Sequence, residues 1–284
     1  MKLPIRLLAI DIDGTLLNSK FAISAADLAA LRRVNELGIE LLLCTGRRHT
    51  FAMSISRQLG FDHWLCSSNG AVTRSNRGES FHSDVLPVGI ARALMAHMQE
   101  FRGSTVLTFD KETKGALVVE RTDEMAGSVG RWLETNAPFI DHVTPIEDCL
   151  TCDPLQAMFC GTIERMKKVE NVLSRFQQLD ELTVLKTQYD YRDLCLLDVL
   201  RRDCSKGHAL ERWAQSRGIG NHEIMAIGDN YNDVEMLEIA GYPVIMGNAC
   251  AELKQNGWTE TLTNDESGVS AALEQVLGRE VVAQ

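Results

Sequence analysis

Four short stretches of this chain carry side chains able to do chemistry on a charged substrate. Asp11-Ile-Asp-Gly-Thr15 sets two carboxylates two residues apart, directly after an apolar run at residues 5–10. Thr45 follows a second apolar run, residues 39–44, in the setting Cys-Thr-Gly-Arg47. Lys206 stands in Ser-Lys-Gly207, and Gly228-Asp-Asn-Tyr-Asn-Asp233 follows a third run at residues 223–227. Asp oxygens without His or Cys suit a hard cation, Mg²⁺ in preference to zinc. A hydroxyl and a lysine beside them suit a phosphate. The cation matters because a carboxylate about 4 Å from a negative charge is repelled by roughly 4 kcal/mol at an effective dielectric of about 20. With that repulsion offset, an Asp can attack phosphate and form an aspartyl-phosphate. The second acid, Asp13, would protonate the leaving oxygen and later activate water. The first stretch taken alone reads equally well as a solvated turn, since Gly14 permits a sharp bend and Thr15 can bond back to it.

The elements that must position these groups decide between the two readings. Residues 5–10, 39–44, 64–66, 223–227 and 244–246 are short apolar runs of the kind that form buried parallel strands. Helical stretches of about 10 to 15 residues alternate with them, which predicts right-handed βαβ units. Ser24 is a helix cap before Leu28 and Leu31, Gly38 closes that helix, and Ser205 caps another running to about residue 217. Ligands of open parallel sheets bind beyond the carboxyl ends of the strands, where Asp11, Thr45 and Asp229 all fall. Lys206 stands at a helix start, which also favours an anion.

Near residue 83 the rhythm changes. A helix at about 87–101 leads into strands at 105–109 and 116–120, joined as a hairpin, then a helix near 123–136. A strand at 156–160, a helix at about 163–178 and strands near 182–186 and 194–199 follow. The expected organisation is therefore an α/β, Rossmann-like doubly wound core from residues 1–83 and 204–284. An α+β module, residues 84–203, is inserted in it.

Composition bounds the function. The 284 residues carry 29 basic and 39 acidic side chains, a net charge of −10, which speaks against a nucleic-acid partner. No stretch reaches the roughly 20 apolar residues of a membrane span, and the N-terminal run lacks a cleavage site, so a cytoplasmic location is expected. Cys44, Cys66, Cys160 and Cys195 lie in strand-like runs as small core residues; Cys149-Leu-Thr-Cys152 is a lone CxxC without the second half of a zinc site.

Taken in order, the four stretches resemble the haloacid dehalogenase superfamily of phosphatases. Asp11 to Thr15 matches DxDGT, Thr45 the second motif, Lys206 the third, and Gly228 to Asp233 the fourth, GDxxND. Asn69-Gly-Ala71 and Met246-Gly-Asn-Ala249 resemble the Cof-type branch, whose α+β cap sits between the second and third motifs. The resemblance implies Asp11 as nucleophile and metal ligand, and Asp13 as acid/base with its carbonyl on the metal. It implies Asp229 as the third ligand to Mg²⁺, and Thr45 and Lys206 on the phosphoryl oxygens. Asp233 would orient Lys206, Asn232 would face the phosphate or a metal-bound water, and Gly14, Gly46 and Asn69 would be backbone and substrate-side contacts. The implied partner is a small phosphorylated metabolite, a sugar phosphate or a phosphorylated cofactor.

Other candidates read as structural. Arg47 and Arg48, at a helix start, read as surface charges before phosphate contacts; Trp132, Trp213 and Trp258 read as packing; and His208 is the one histidine close to a motif. Two rival functions remain open. A phosphomutase would return the phosphoryl group to a sugar, and a non-catalytic sensor would bind without turnover. The sequence leaves the oligomeric state open.

Overall fold

The alternation of side chains along the first strand sets the layering. In this computed structural model, which describes residues 4–125 and 129–278, β1 (Leu7–Asp11) is buried along its whole length. Leu8 and Ile10 point to one face and Leu7 and Ala9 to the other, as the two-residue period of a strand requires. Both faces are covered, so every strand position is apolar until Asp11.

The chain divides into two compact units, residues Met1–Ser83 with Ser205–Gln284, and residues Asp84–Cys204. The first unit opens with β1, α1 (Ala25–Glu36), β2 (Glu40–Cys44), α2 (His49–Ser56) and β3 (Trp64–Ser67). A hairpin of β4 (Val72–Ser75) and β5 (Ser80–Ser83) follows. Its polar, partly exposed residues hid it from an apolar pattern.

The second unit runs α3 (Val88–His97), β6 (Thr105–Thr108), β7 (Leu117–Val119), α4 (Gly130–Asn136), β8 (Ile140–His142) and β9 (Gln156–Gly161). It ends with α5 (Ile163–Leu173), β10 (Leu182–Tyr189) and β11 (Leu194–Arg201). The expected hairpin of β6 and β7 is present, antiparallel. The helix expected from residue 123 begins only at Gly130, with turns at 123–124; residues 126–128 lie outside the described residues. Six strands, in the order β10-β11-β9-β6-β7-β8, form one sheet among the described residues. Helices α3 and α5 bury Ile90, Leu94, Met166 and Val169 against Leu107, Phe159 and Leu197. Trp132 and Leu133 of α4 pack against Val106, Met158 and Cys160, which face the other way. This is an α+β layout.

The first unit resumes with α6 (Lys206–Ser216), β12 (Ile224–Gly228), α7 (Val234–Ile239), β13 (Tyr242–Ile245), α8 (Ala251–Lys254), β14 (Thr259–Glu260) and α9 (Gly268–Leu277). Its eight strands lie in the order β14-β13-β12-β1-β2-β3-β4-β5, parallel except for the β4 and β5 edge. Helices α1, α2 and α9 cover one face and α6, α7 and α8 the other. The unit is a doubly wound α/β fold. Strand β1 pairs with β2 on one side and with β12 on the other, so the chain reverses its winding direction there, the place where such sheets bind ligands.

Two expectations about side chains are met locally. Ser24 and Ser205 each accept a hydrogen bond from the backbone N–H three residues on, capping α1 and α6. Trp213 is buried, with its ring 4.4 Å from that of Trp64, so it packs the core. No helix of the described residues is long and apolar enough to cross a membrane.

Candidate active site

Register brings the motifs together. Asp11 pairs with Cys44 and Ile10 with Ile227, so Asp11, Thr45 and Asp229 all emerge at the same sheet edge. Lys206, the first residue of α6, reaches that edge from beside it. All four side chains are buried.

The Lys206 ammonium donates to Asp11 Oδ1 at 2.6 Å and to Asp233 Oδ1 at 2.7 Å. Asp233 is fully engaged, because its Oδ2 accepts from the backbone N–H groups of Asp229 and Asn230, both at 3.0 Å. One carboxylate thus holds the lysine and shapes the turn that presents Asp229. The two carboxylates hold the Lys206 proton tightly and raise its pKa, although burial pulls the other way. Burial pushes the Asp11 carboxyl up to about 8, with Lys206 opposing the shift and Asp233 and Asp13 adding to it. Asp229 is raised too, by burial first and then by Asp11 and Asp233.

The loop after β1 is fitted to Asp229. Thr15 Oγ1 donates to Asp229 Oδ1 at 2.7 Å. Gly14 has φ +87°, and a Cβ there would overlap the Asp229 carboxylate, so both conformation and space demand glycine. Asn248 donates to the Gly14 carbonyl at 2.8 Å. Sequence reasoning gave neither Thr15 nor Asn248 a site role, although Asn248 follows β13 at the same edge, where strand order alone could have found it.

Thr45 is fixed through its neighbours. Its hydroxyl accepts from the Arg47 N–H at 3.1 Å, and its carbonyl accepts from the Asn69 N–H at 2.9 Å. Ser68 and Asn69 sit back to back at φ 48° and 52°, in the left-handed region that non-glycine residues rarely occupy. The bend aims Asn69 inward, where its Oδ1 accepts from Asn232 Nδ2 at 3.0 Å. A Cβ on Gly46 would meet that Asn69 amide at 3.1 Å. Asn232, Asn69 and Gly46 therefore form one contiguous wall.

Asp13 stands apart from the lysine cluster. Arg47 grips its carboxylate with Nε to Oδ2 at 2.6 Å and Nη2 to Oδ1 at 2.5 Å. This corrects the reading of Arg47 as a surface charge. Its place at a helix start suggested solvent, but the tight turn after Thr45 points the guanidinium back across the rim. His208 joins Ser205 and Glu235, with Nδ1 2.9 Å from the Ser205 hydroxyl and 3.2 Å from the Glu235 carboxylate. The CxxC thiols are free; burial pushes Cys149 up to about 11, which leaves it protonated at neutral pH.

The residues fit a divalent cation. Asp11, Asp229 and Asp233 each bring a carboxylate oxygen within 4.8 Å of the others. Asp233 is spent on the lysine and two amides, whereas Asp11 and Asp229 each keep one oxygen without a protein partner among the described residues. Once ionised, three buried carboxylates against one ammonium leave two negative charges, the charge a hard divalent ion with oxygen ligands would balance.

Residues 8–273 match the family described as haloacid dehalogenase-like hydrolase. The chain belongs to this family. The resemblance read from the motifs stands, Cof-type branch included. This haloacid dehalogenase-like hydrolase is 31% identical to Phosphatase YwpJ of Bacillus subtilis, over 96% of this chain and 100% of that relative. It is 26% identical to 5-amino-6-(5-phospho-D-ribitylamino)uracil phosphatase YwtE of the same organism, over 95% and 97% of the two chains. Among solved structures, a haloacid dehalogenase-like hydrolase from B. subtilis superposes with a TM-score of 0.80 at 28% identity, covering 96% of this chain and 100% of that one.

Proposed function

We propose that this chain is a Mg²⁺-dependent phosphatase that hydrolyses small phosphorylated metabolites through a covalent phosphoryl group on Asp11. That it is a phosphoric monoester hydrolase follows from its family and from the phosphatases among its relatives. The observation that carries the mechanism is Lys206 bridging Asp11 and Asp233, with Asp229 close by.

An Asp11 oxygen attacks phosphorus, and the bond from phosphorus to the ester oxygen breaks. Asp13 delivers a proton to that oxygen as it leaves as an alcohol. Water then attacks the aspartyl-phosphate, Asp13 takes its proton, and inorganic phosphate leaves with Asp11 restored. Thr45, Lys206 and Asn232 hold the phosphoryl oxygens, while Gly14, Gly46 and Asn69 shape the wall around them. Asp11, Asp229 and the Asp13 carbonyl would hold Mg²⁺, which when bound offsets the repulsion between a carboxylate and a phosphate dianion.

Residues 84–204 form a separate unit with its own core, and we assign it the role of a cap that selects the substrate. The substrate class is a sugar phosphate or a phosphorylated cofactor. YwtE supports it, since its named substrate carries a phosphorylated ribityl chain on a heterocycle.

Phosphate release from a panel of such esters, with Mg²⁺ and with chelator, tests the reading in wild type and Asp11→Asn. Metal-dependent release that is lost in the variant is the expected result. Release that survives the substitution would overturn the covalent route. An isomerised sugar phosphate in place of inorganic phosphate would mark a phosphomutase, and saturable binding without turnover a sensor.

A further inference from the structure

The Asp13 carboxylate is placed by another side chain. Two residues beyond β1, it is partly exposed and would sample several rotamers in water. Instead both of its oxygens are taken by one guanidinium, through Nε at 2.6 Å and Nη2 at 2.5 Å. A planar fork meeting a planar carboxylate fixes both distance and orientation.

The fork is itself anchored. The Arg47 backbone N–H donates to Thr45 Oγ1 at 3.1 Å, and its carbonyl accepts from the Ser68 N–H at 2.8 Å. Ser68 is held at φ 48° in the loop that also presents Asn69. The main chain at Arg47 is thus pinned from both sides, to the hydroxyl on one and to a strained loop on the other. A side chain rising from such a base can set the position of what it grips.

We propose that Arg47 is a positioning residue for Asp13, a fixed fork that holds its carboxylate in the orientation proton transfer requires. The proposal rests on the reading of Asp13 as the proton carrier. Each Asp13 oxygen retains a second lone pair beyond the one directed at Arg47, so the grip leaves the carboxylate able to meet a leaving oxygen or a water. Lysine cannot replace the fork. Its ammonium is a point charge on a flexible stem, so it would keep the charge and lose the orientation.

Two aryl phosphates of similar size test this, p-nitrophenyl phosphate, whose leaving group departs without a proton, and phenyl phosphate, whose leaving group benefits from one. The readout is kcat/KM for each, which covers the steps up to phosphoryl transfer to Asp11. For Asp13→Asn the ratio of phenyl to p-nitrophenyl phosphate should fall by about tenfold or more. Arg47→Ala and Arg47→Lys should lower the ratio in the same direction, by about tenfold, as expected for a misplaced acid. Free guanidinium ion should restore part of the ratio in Arg47→Ala. A fall in Asp13→Asn with an unchanged ratio in both Arg47 variants would overturn the positioning role alone. Equal losses on both substrates in those variants would do the same, because they mark a phosphate contact or a folding defect. An unchanged ratio in Asp13→Asn would remove the proton-carrier reading, and the role of Arg47 with it.

Discussion

Thr15 and Asp229 are 214 residues apart in sequence and joined by a 2.7 Å hydrogen bond at the edge of the sheet. The bond is buried and uses one Asp229 oxygen, leaving the other for the proposed cation. Outer hydrogen bonds of this kind orient metal ligands and typically contribute 10–100-fold to metal affinity. Thr15→Val keeps the shape and removes the donor, so the Mg²⁺ concentration for half-maximal activity should rise by about tenfold, with kcat at saturating Mg²⁺ close to wild type. Thr15→Ser should behave as wild type. Titrating activity against Mg²⁺ checks this, and a wild-type curve for Thr15→Val would show that the bond does not orient Asp229.

Asp11→Asn removes the proposed nucleophile and one buried carboxyl together. Turnover should fall below detection, because an amide does not attack phosphorus under these conditions. Lys206 keeps Asp233 as a partner, so the fold should persist, and in chelator at pH 8 the midpoint of thermal unfolding should stay level or rise. A large fall in that midpoint would mean that Asp11 stabilises the lysine more than its uncompensated charge costs.

The raised carboxyls make metal-free stability depend on pH in a definite direction. The folded-state pKa of Asp11 is about 8 against an ordinary 3.8, so across that window the folded chain binds protons that the unfolded chain has released. Stability from this group is fully present below the lower value and is lost as pH rises toward the upper one. Asp229, raised for the same reason, adds to the trend. Unfolding midpoints in chelator should therefore fall between pH 5 and pH 8, through the window cited. Asp11→Asn should flatten the slope, and saturating Mg²⁺ should raise the midpoint most at the alkaline end. A flat profile in chelator would show that the carboxyls titrate normally.

Much of this arrangement is legible in the sequence. The apolar runs ending at Asp11, Cys44 and residue 227 lie in β1, β2 and β12, and the rule that ligands sit beyond parallel strand ends placed Asp11, Thr45 and Asp229 together. Legibility failed where polar residues form strands or long side chains cross the site. The β4–β5 hairpin offers Thr73, Arg74, Ser80 and His82, which carry no apolar alternation over enough residues to signal a strand. Arg47 looked like any cation at a helix start, since nothing in one dimension shows that the chain doubles back toward Asp13. Ser68 and Asn69 in left-handed conformation are equally silent, because the backbone bonds that hold them, to the Arg47 and Thr45 carbonyls, come from residues more than twenty positions away.

Asp233 should respond in the opposite sense to Asp11, although both grip the same ammonium. Its Oδ1 accepts from Lys206 and its Oδ2 accepts from two backbone N–H groups, all at full burial. In Asp233→Asn the oxygen can serve only one of these sets, and the amide group must point its own hydrogens at the other. Either the lysine loses a partner or the turn bearing Asp229 loses its acceptor. Breaking a buried ion pair from one side costs about 3–5 kcal/mol. The variant should therefore unfold at a clearly lower temperature in chelator, where Asp11→Asn does not. Its activity should also drop, by about a hundredfold, since Lys206 and Asp229 both lose their aim. Thermal unfolding of the two variants side by side, followed by circular dichroism, checks the contrast. Equal midpoints would mean that Asp233 acts on Lys206 through charge alone, and that the turn at Asp229 is held by other bonds.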